Sequence, residues 1–206
     1  MPSVRHEFAV ELMGSAPELL RVLLGPQLDE RLEHPAAAIE FHRSDATSGQ
    51  VPTPGCDLCI ELRAPGSTTP SLVAVIEVQL AIKKDKPPAW FVYQASQHYR
   101  TNAPAIVVVV THCRKVAQWA AGPFWSGQTW LRPLVIGPGD VPAITDAEEA
   151  KRSLPLAFMS RNRPQPGHDR GTNWSRAGAR HRCLAGRWPR VILGCVPRLA
   201  RRARTQ

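Results

Sequence analysis

Two apolar runs constrain this chain more than anything else in it. Residues 71–80 read SLVAVIEVQL and residues 105–110 read AIVVVV. A strand with one wet face alternates apolar and polar residues. A nearly continuous apolar run of this length reads instead as a strand covered on both faces, as the inner strands of a parallel sheet are. Such strands need helices on the two sides of their sheet.

The surrounding segments supply the covers. Residues 3–14 read as a short helix. Ser15-Ala16-Pro17-Glu18 has capping-box spacing with proline in the first turn, opening a second helix expected to stop at Gly25-Pro26. Residues 37–41 are expected as a first strand. Residues 57–63 alternate, with Leu58, Ile60 and Leu62 on one face and Asp57, Cys59 and Glu61 on the other. With residues 71–80 they form a hairpin. Residues 89–100 are helix-compatible, and Thr111 is expected to cap a helix over residues 112–121. Residues 130–136 read as one further strand, and Thr145-Asp146-Ala147-Glu148 as a second capping box. The order α-α-β-β-β-α-β-α-β-α gives an α/β fold: a mixed central sheet of about five strands flanked by helices.

The formal charge of +9 is unevenly distributed. Residues 1–151 carry a net −3 and residues 152–206 a net +12. The globular part is therefore slightly acidic, and bulk charge alone does not make it a nucleic-acid binder. The chain is expected to divide into a domain over residues 1–158 and an Arg/Pro-rich tail over residues 159–206. That tail, nearly free of acids, is read as disordered or as the product of a frame change. The run Arg198 to Arg204 offers charge for nucleic acid or an anionic surface. There is no stretch of eighteen apolar residues and no secretory leader pattern, so a cytoplasmic protein without membrane partners is expected. The five cysteines are odd in number, which argues against a disulfide framework. A strand over residues 57–63 would send Cys56 and Cys59 to opposite faces, so neither a zinc pair nor a redox dithiol is expected from their C-x-x-C spacing. No HExxH pattern, nucleophile elbow, phosphate loop or dinucleotide fingerprint is present.

The chemistry-bearing feature is Glu77-Val78-Gln79 inside the apolar run, with Asp57 twenty positions earlier. Glu77 and Gln79 share a strand face, and the hairpin brings Asp57 alongside Glu77. A carboxylate in an apolar strand is costly unless it is paired or bound to a cation. Two carboxylates with amide and backbone oxygens suit Mg²⁺ or Mn²⁺. Asp45, in the preceding loop, is either another carboxylate near the site or a loop cap. Glu61 shares Asp57's face, and is either near the site or simply solvated. Lys83, Lys84 and Lys86 read as a solvated basic run.

An aspartate opening one strand and a Glu-x-Gln on the next, within this order of elements, resembles the PD-(D/E)XK nuclease superfamily. The likeness is to its Glu-x-Gln branch, which includes transposase-associated and recombination-promoting nucleases. "PSVRHEFAVELM", "IEVQL" and "GPGDVPAITDAEEA" are similar to segments of a group of bacterial proteins of this type. The resemblance covers about residues 1–157. It implies an α-βββ-αβ core and Mg²⁺- or Mn²⁺-dependent hydrolysis of DNA. Asp57, Glu77 and the Val78 carbonyl would be metal ligands, and Gln79 would stand at the place of the catalytic lysine. It also implies Glu7 or Glu11 as a helix carboxylate added to the site, with Lys83, Lys84, Tyr93 and Gln94 on the substrate side. The alternative is a nuclease-like domain that binds nucleic acid or a protein partner without cleavage, or an α/β domain with no link to nucleic acid.

Overall fold

The run at residues 71–80 forms β3 (Leu72–Val78), and all seven of its residues are buried. Its side chains alternate between two layers. Leu72, Ala74, Ile76 and Val78 enter one apolar cluster, and Val75 enters another. The computed structural model describes residues 4–32, 38–44 and 55–161. These belong to one unit spanning Met1–Gln165. From residue 162 onward the expected tail, with its frame-change reading, lies outside the described residues.

Before β3 come α1 (Val4–Ser15), α2 (Leu19–Asp29), β1 (Glu40–Ser44) and β2 (Leu58–Arg63). After it come α3 (Lys86–Thr101), β4 (Ala105–Val110), α4 (Arg114–Ala120), β5 (Phe124–Trp125), β6 (Trp130–Leu131), β7 (Leu134–Ile136), α5 (Ala147–Arg152) and α6 (Leu154–Arg161). The fold is α/β, with a five-stranded mixed sheet in the order β1-β2-β3-β4-β7. β1, β2 and β3 pair antiparallel, while β3, β4 and β7 pair parallel. One face is covered by α1 and α2: Met13, Leu19, Leu20, Leu23, Leu24 and Leu28 pack on Leu58, Ile60, Leu62 and Ile76, and Leu156 of α6 joins them. The other face is covered by Trp90 and Tyr93 of α3 and Ala120 of α4, packed on Cys59, Val75, Val107 and Val109. Trp90 is fully buried, its ring 5.4 Å from those of both Trp119 and Phe124. No helix among the described residues is long and apolar enough to cross a membrane.

Several boundaries differ from expectation, each for a local reason. α2 runs through Gly25-Pro26 instead of stopping there, because Leu28 is fully buried and holds the last turn on the core. The carbonyl that proline leaves without a helical partner is that of Val22, a residue 55% exposed. Ser15 ends α1 and donates to the Leu12 carbonyl instead of capping α2. α3 begins earlier than expected, because Pro87 and Pro88 sit in its first turn, where a missing N–H costs nothing. Thr111 Oγ1 accepts from the Cys113 N–H, and α4 starts only at Arg114. The single strand expected over residues 130–136 is divided at Arg132-Pro133. β6 pairs with β5 in a small hairpin, and β7 joins the main sheet. At α5 the cap is Asp146, whose side chain accepts from the Glu149 N–H. The first strand falls at residues 40–44, and residues 33–37 lie outside the described ones.

Glu61 is the one charged side chain buried in β2. Its carboxylate accepts from Ser44 of β1 at 2.8 Å, from Arg100 of α3 at 2.9 Å and from Arg63. It is therefore neither solvated nor part of the Asp57 site. Burial would raise its pKa, but the hydrogen bonds from Arg63, Ser44 and Arg100 outweigh that and hold it below the usual carboxylate range. Glu61→Ala leaves two guanidinium groups without their buried partner, with an expected loss of about 3 kcal/mol in urea unfolding at pH 7. Because the folded-state pKa is depressed, the contribution is complete above the ordinary carboxylate range. It is lost as the pH falls through the depressed value. The gap between wild type and Glu61→Ala should narrow on acidification.

Candidate functional site

The β2–β3 register pairs Leu58 with Ile76, so the next positions, Asp57 and Glu77, stand opposite each other. Glu77 is on the face covered by α3, while Asp57, one residue before β2, meets α1. Asp57 is fixed by two contacts to Oδ2: the backbone N–H of Val78 donates to it at 2.8 Å, and His6 Nε2 of α1 lies at 3.0 Å. Among the described residues Oδ1 carries no hydrogen bond.

Glu77 is fully buried at the end of the central strand. Its Oε2 accepts from Lys86 Nζ at 2.8 Å and from Gln79 Nε2 at 3.1 Å. Its Oε1 is buried without a hydrogen-bond partner, as is Trp90 Nε1. The indole N–H lies near enough to favour the carboxylate anion, but the two atoms do not complete a hydrogen bond. Burial pushes the pKa of Glu77 up despite the hydrogen bond from Lys86, and the charge of Asp57 adds to the rise. Lys86 is raised as well: burial disfavours its charge, but the Glu77 carboxylate outweighs this. Tyr93, buried two turns further along α3, is raised by burial and by Glu77, and its hydroxyl donates to the Gly55 carbonyl at 3.4 Å.

The expected residues divide clearly. Asp57, Glu77, Gln79 and Tyr93 come together. Val78 contributes its N–H to Asp57. Gln79 is buried, and its amide holds Glu77; its backbone N–H continues the ladder to the Val110 carbonyl. Glu7 and Glu11 remain exposed on α1 and make none of the site's hydrogen bonds; the α1 residue that reaches Asp57 is His6. Lys83 and Lys84 are exposed. Gln94 donates to the Ala105 carbonyl at 2.7 Å, tying α3 to β4 away from the carboxylates. Asp45 lies outside the described residues. The residues that sequence reasoning missed are His6 and Lys86; the second is the more informative. Its only signal was proximity to Pro87-Pro88, which start a helix and so orient the third lysine of the run differently from the first two.

Cys56 and Cys59 also depart from expectation. β2 begins at Leu58, so strand alternation does not extend back to Cys56, and the two sulfurs lie 3.4 Å apart. The hydrogen bond from Cys59 holds the Cys56 thiol below its usual range, against burial and the nearby carboxylates. The same contact, with burial, pushes the Cys59 thiol up.

The fit to a divalent cation rests on two carboxylates. Glu77 Oε1 is buried without a donor, and Asp57, whose hydrogen bonds all go to Oδ2, stands opposite it just before β2. No three His, Cys, Asp or Glu side chains converge as a metal cage among the described residues. The donor set is instead two carboxylates with amide and backbone oxygens, which suits an ion that keeps several waters. A separate cavity of about 530 Å³ lies between α1, α6 and the ends of β3, β4 and β7, lined by Phe8, Val78, Leu80, Thr111 and Phe158 among others. Neither Asp57 nor Glu77 lines it.

No family model matches the chain, and neither does any curated protein or solved structure.

The Lys86–Glu77 pair can be tested by stability. Lys86→Met leaves a buried carboxylate without its cation and should destabilise the protein at pH 7. Adding Glu77→Gln should recover most of the loss, with a coupling of about 2 kcal/mol in a double-mutant cycle followed by urea unfolding.

Proposed function

We propose that this domain is a metal-dependent phosphodiesterase of PD-(D/E)XK type that acts on DNA. The observation that carries the reading is the pairing of Asp57 and Glu77 at facing positions, with Glu77 Oε1 buried and unpartnered, beside the ammonium of Lys86.

Asp57 and Glu77 would hold Mg²⁺ or Mn²⁺, with the Val78 carbonyl as a further oxygen. Such an ion, when bound, supplies a polarised phosphoryl oxygen and a more acidic water. The chain's own groups do the rest. His6 and the Val78 N–H fix the Asp57 carboxylate through one oxygen, Oδ2. Gln79 orients Glu77 and carries no charge. Lys86, bonded to Glu77, would supply the positive charge absent at position 79 and stabilise a phosphate as charge develops on it. Lys83 and Lys84, exposed just before α3, add attraction for a nucleic-acid backbone.

The alternative, binding without cleavage, is favoured by one observation. Glu77 Oε2 is already occupied by Lys86 and Gln79, so the lysine competes with a cation for the carboxylate.

The decisive assay incubates the full chain with supercoiled, linear and single-stranded DNA and with RNA, in Mg²⁺ or Mn²⁺. Cleavage is expected to be abolished by Asp57→Ala and by Glu77→Ala, and slowed roughly 10²-fold or more by Lys86→Ala. Calorimetry should show Mn²⁺ binding by wild type and not by the two carboxylate variants. DNA binding and metal binding without cleavage of any substrate would establish the alternative. Absence of both cleavage and metal binding would refute the nuclease reading.

A further inference from the structure

The residues flanking Asp57 carry a chemistry that the proposed hydrolysis does not use. Cys56 and Cys59 are free thiols whose sulfurs stand 3.4 Å apart. Cys59 is fully buried and locked into β2, paired in register with Val75 of β3 and Ser44 of β1. Cys56 is half-buried and lies outside the strand, next to exposed Gly55. A disulfide has an S–S length of about 2.05 Å, so the sulfurs need to approach by roughly 1.4 Å. The ladder prevents Cys59 from moving, so the displacement falls on Cys56 and the irregular segment that carries it.

We propose that Cys56 and Cys59 form a reversible dithiol–disulfide pair, oxidised by low-molecular-weight disulfides, and that closing the bond displaces the carboxylate of Asp57.

The accessible sulfur acts first. Cys56, as thiolate, attacks one sulfur of the small disulfide, forming a mixed disulfide and expelling one thiolate. Cys59 then attacks the Cys56 sulfur. The second small thiolate leaves, and the proton from Cys59 passes to it. The balance is two protein thiols and one small disulfide giving one protein disulfide and two small thiols. The ring that closes encloses Asp57 and Leu58. Leu58 is buried in the leucine layer and paired with Ile76, so it resists movement. Asp57 lies between the moving sulfur and the fixed strand, held by its bonds to the Val78 N–H and His6. Moving Cys56 also pulls on Gly55, whose carbonyl receives the Tyr93 hydroxyl. The pair's chemistry does not depend on the metal reading.

The test uses the reduced full chain equilibrated with mixtures of reduced and oxidised glutathione, then alkylated and mapped by peptide mass spectrometry. Cys56 and Cys59 are expected to become protected together, with the loss of two hydrogens, and to be restored by dithiothreitol. Cys59→Ser should stop at a glutathione adduct on Cys56, and Cys56→Ser should leave Cys59 unreactive. A stable glutathione adduct on Cys56 in the wild type, or pairing of either residue with Cys113, Cys183 or Cys195, overturns the proposal. The second half is read from the backbone amide of Val78 by NMR. Its resonance should shift on oxidation, and its hydrogen exchange should quicken at least tenfold as its acceptor moves. An unchanged Val78 amide in the disulfide form refutes the displacement of Asp57.

Discussion

A fully buried carboxylate at the end of a strand apolar on both faces is the constraint on which the rest of this structure turns. Glu77 has no water to solvate it, so the protein must supply substitutes. Lys86 comes from the first turn of α3, the Gln79 amide comes from two positions along the strand, and Asp57 opposes it from β2. One oxygen remains unsatisfied. An apolar residue at position 77 would pack against Trp90 and Val75 at lower cost. That the fold instead surrounds a charge with donors, and stops short of satisfying it, is the physical reason to look for function there.

The fold was legible where burial left a simple signature. Strands covered on both faces cannot alternate, so residues 71–80 and 105–110 announced the centre of the sheet and the need for helices on both sides. Residues 57–63 alternated as written, because Leu58, Ile60 and Leu62 meet α2 while Cys59 meets α3. Boundaries were less legible, because they are set by contacts distant in sequence. Nothing near Gly25-Pro26 shows that Leu28 will be fully buried, yet that burial carries α2 past the proline.

The candidate site was legible in its carboxylates and not in its cations. Asp57 and Glu77 are readable because two strands and a turn determine their pairing. Lys86 sits nine residues from Glu77, beside two other lysines, and only the start of α3 distinguishes it from them. His6 is further still, on a helix whose packing no local pattern fixes. The misplacement of Cys56 has the most instructive cause: alternation of side chains is a property of a strand and ends where the strand ends. β2 begins at Leu58, so two residues before it the rule no longer separates Cys56 from Cys59.

The cluster at Glu61 has a role beyond its own stability. It joins Ser44 of β1, Arg63 of β2 and Arg100 of α3 on one buried carboxylate. Side chains of a strand reverse their faces with every residue, so a slip of one position between β2 and its neighbours would drive Glu61 into the leucine layer and a leucine among the guanidinium groups. A slip of two positions keeps the faces but carries Glu61 about 7 Å along, away from Ser44. The observed alignment sets Asp57 across from Glu77, four residues further along. The buried ionic cluster is therefore satisfied in the same register that brings the two carboxylates together.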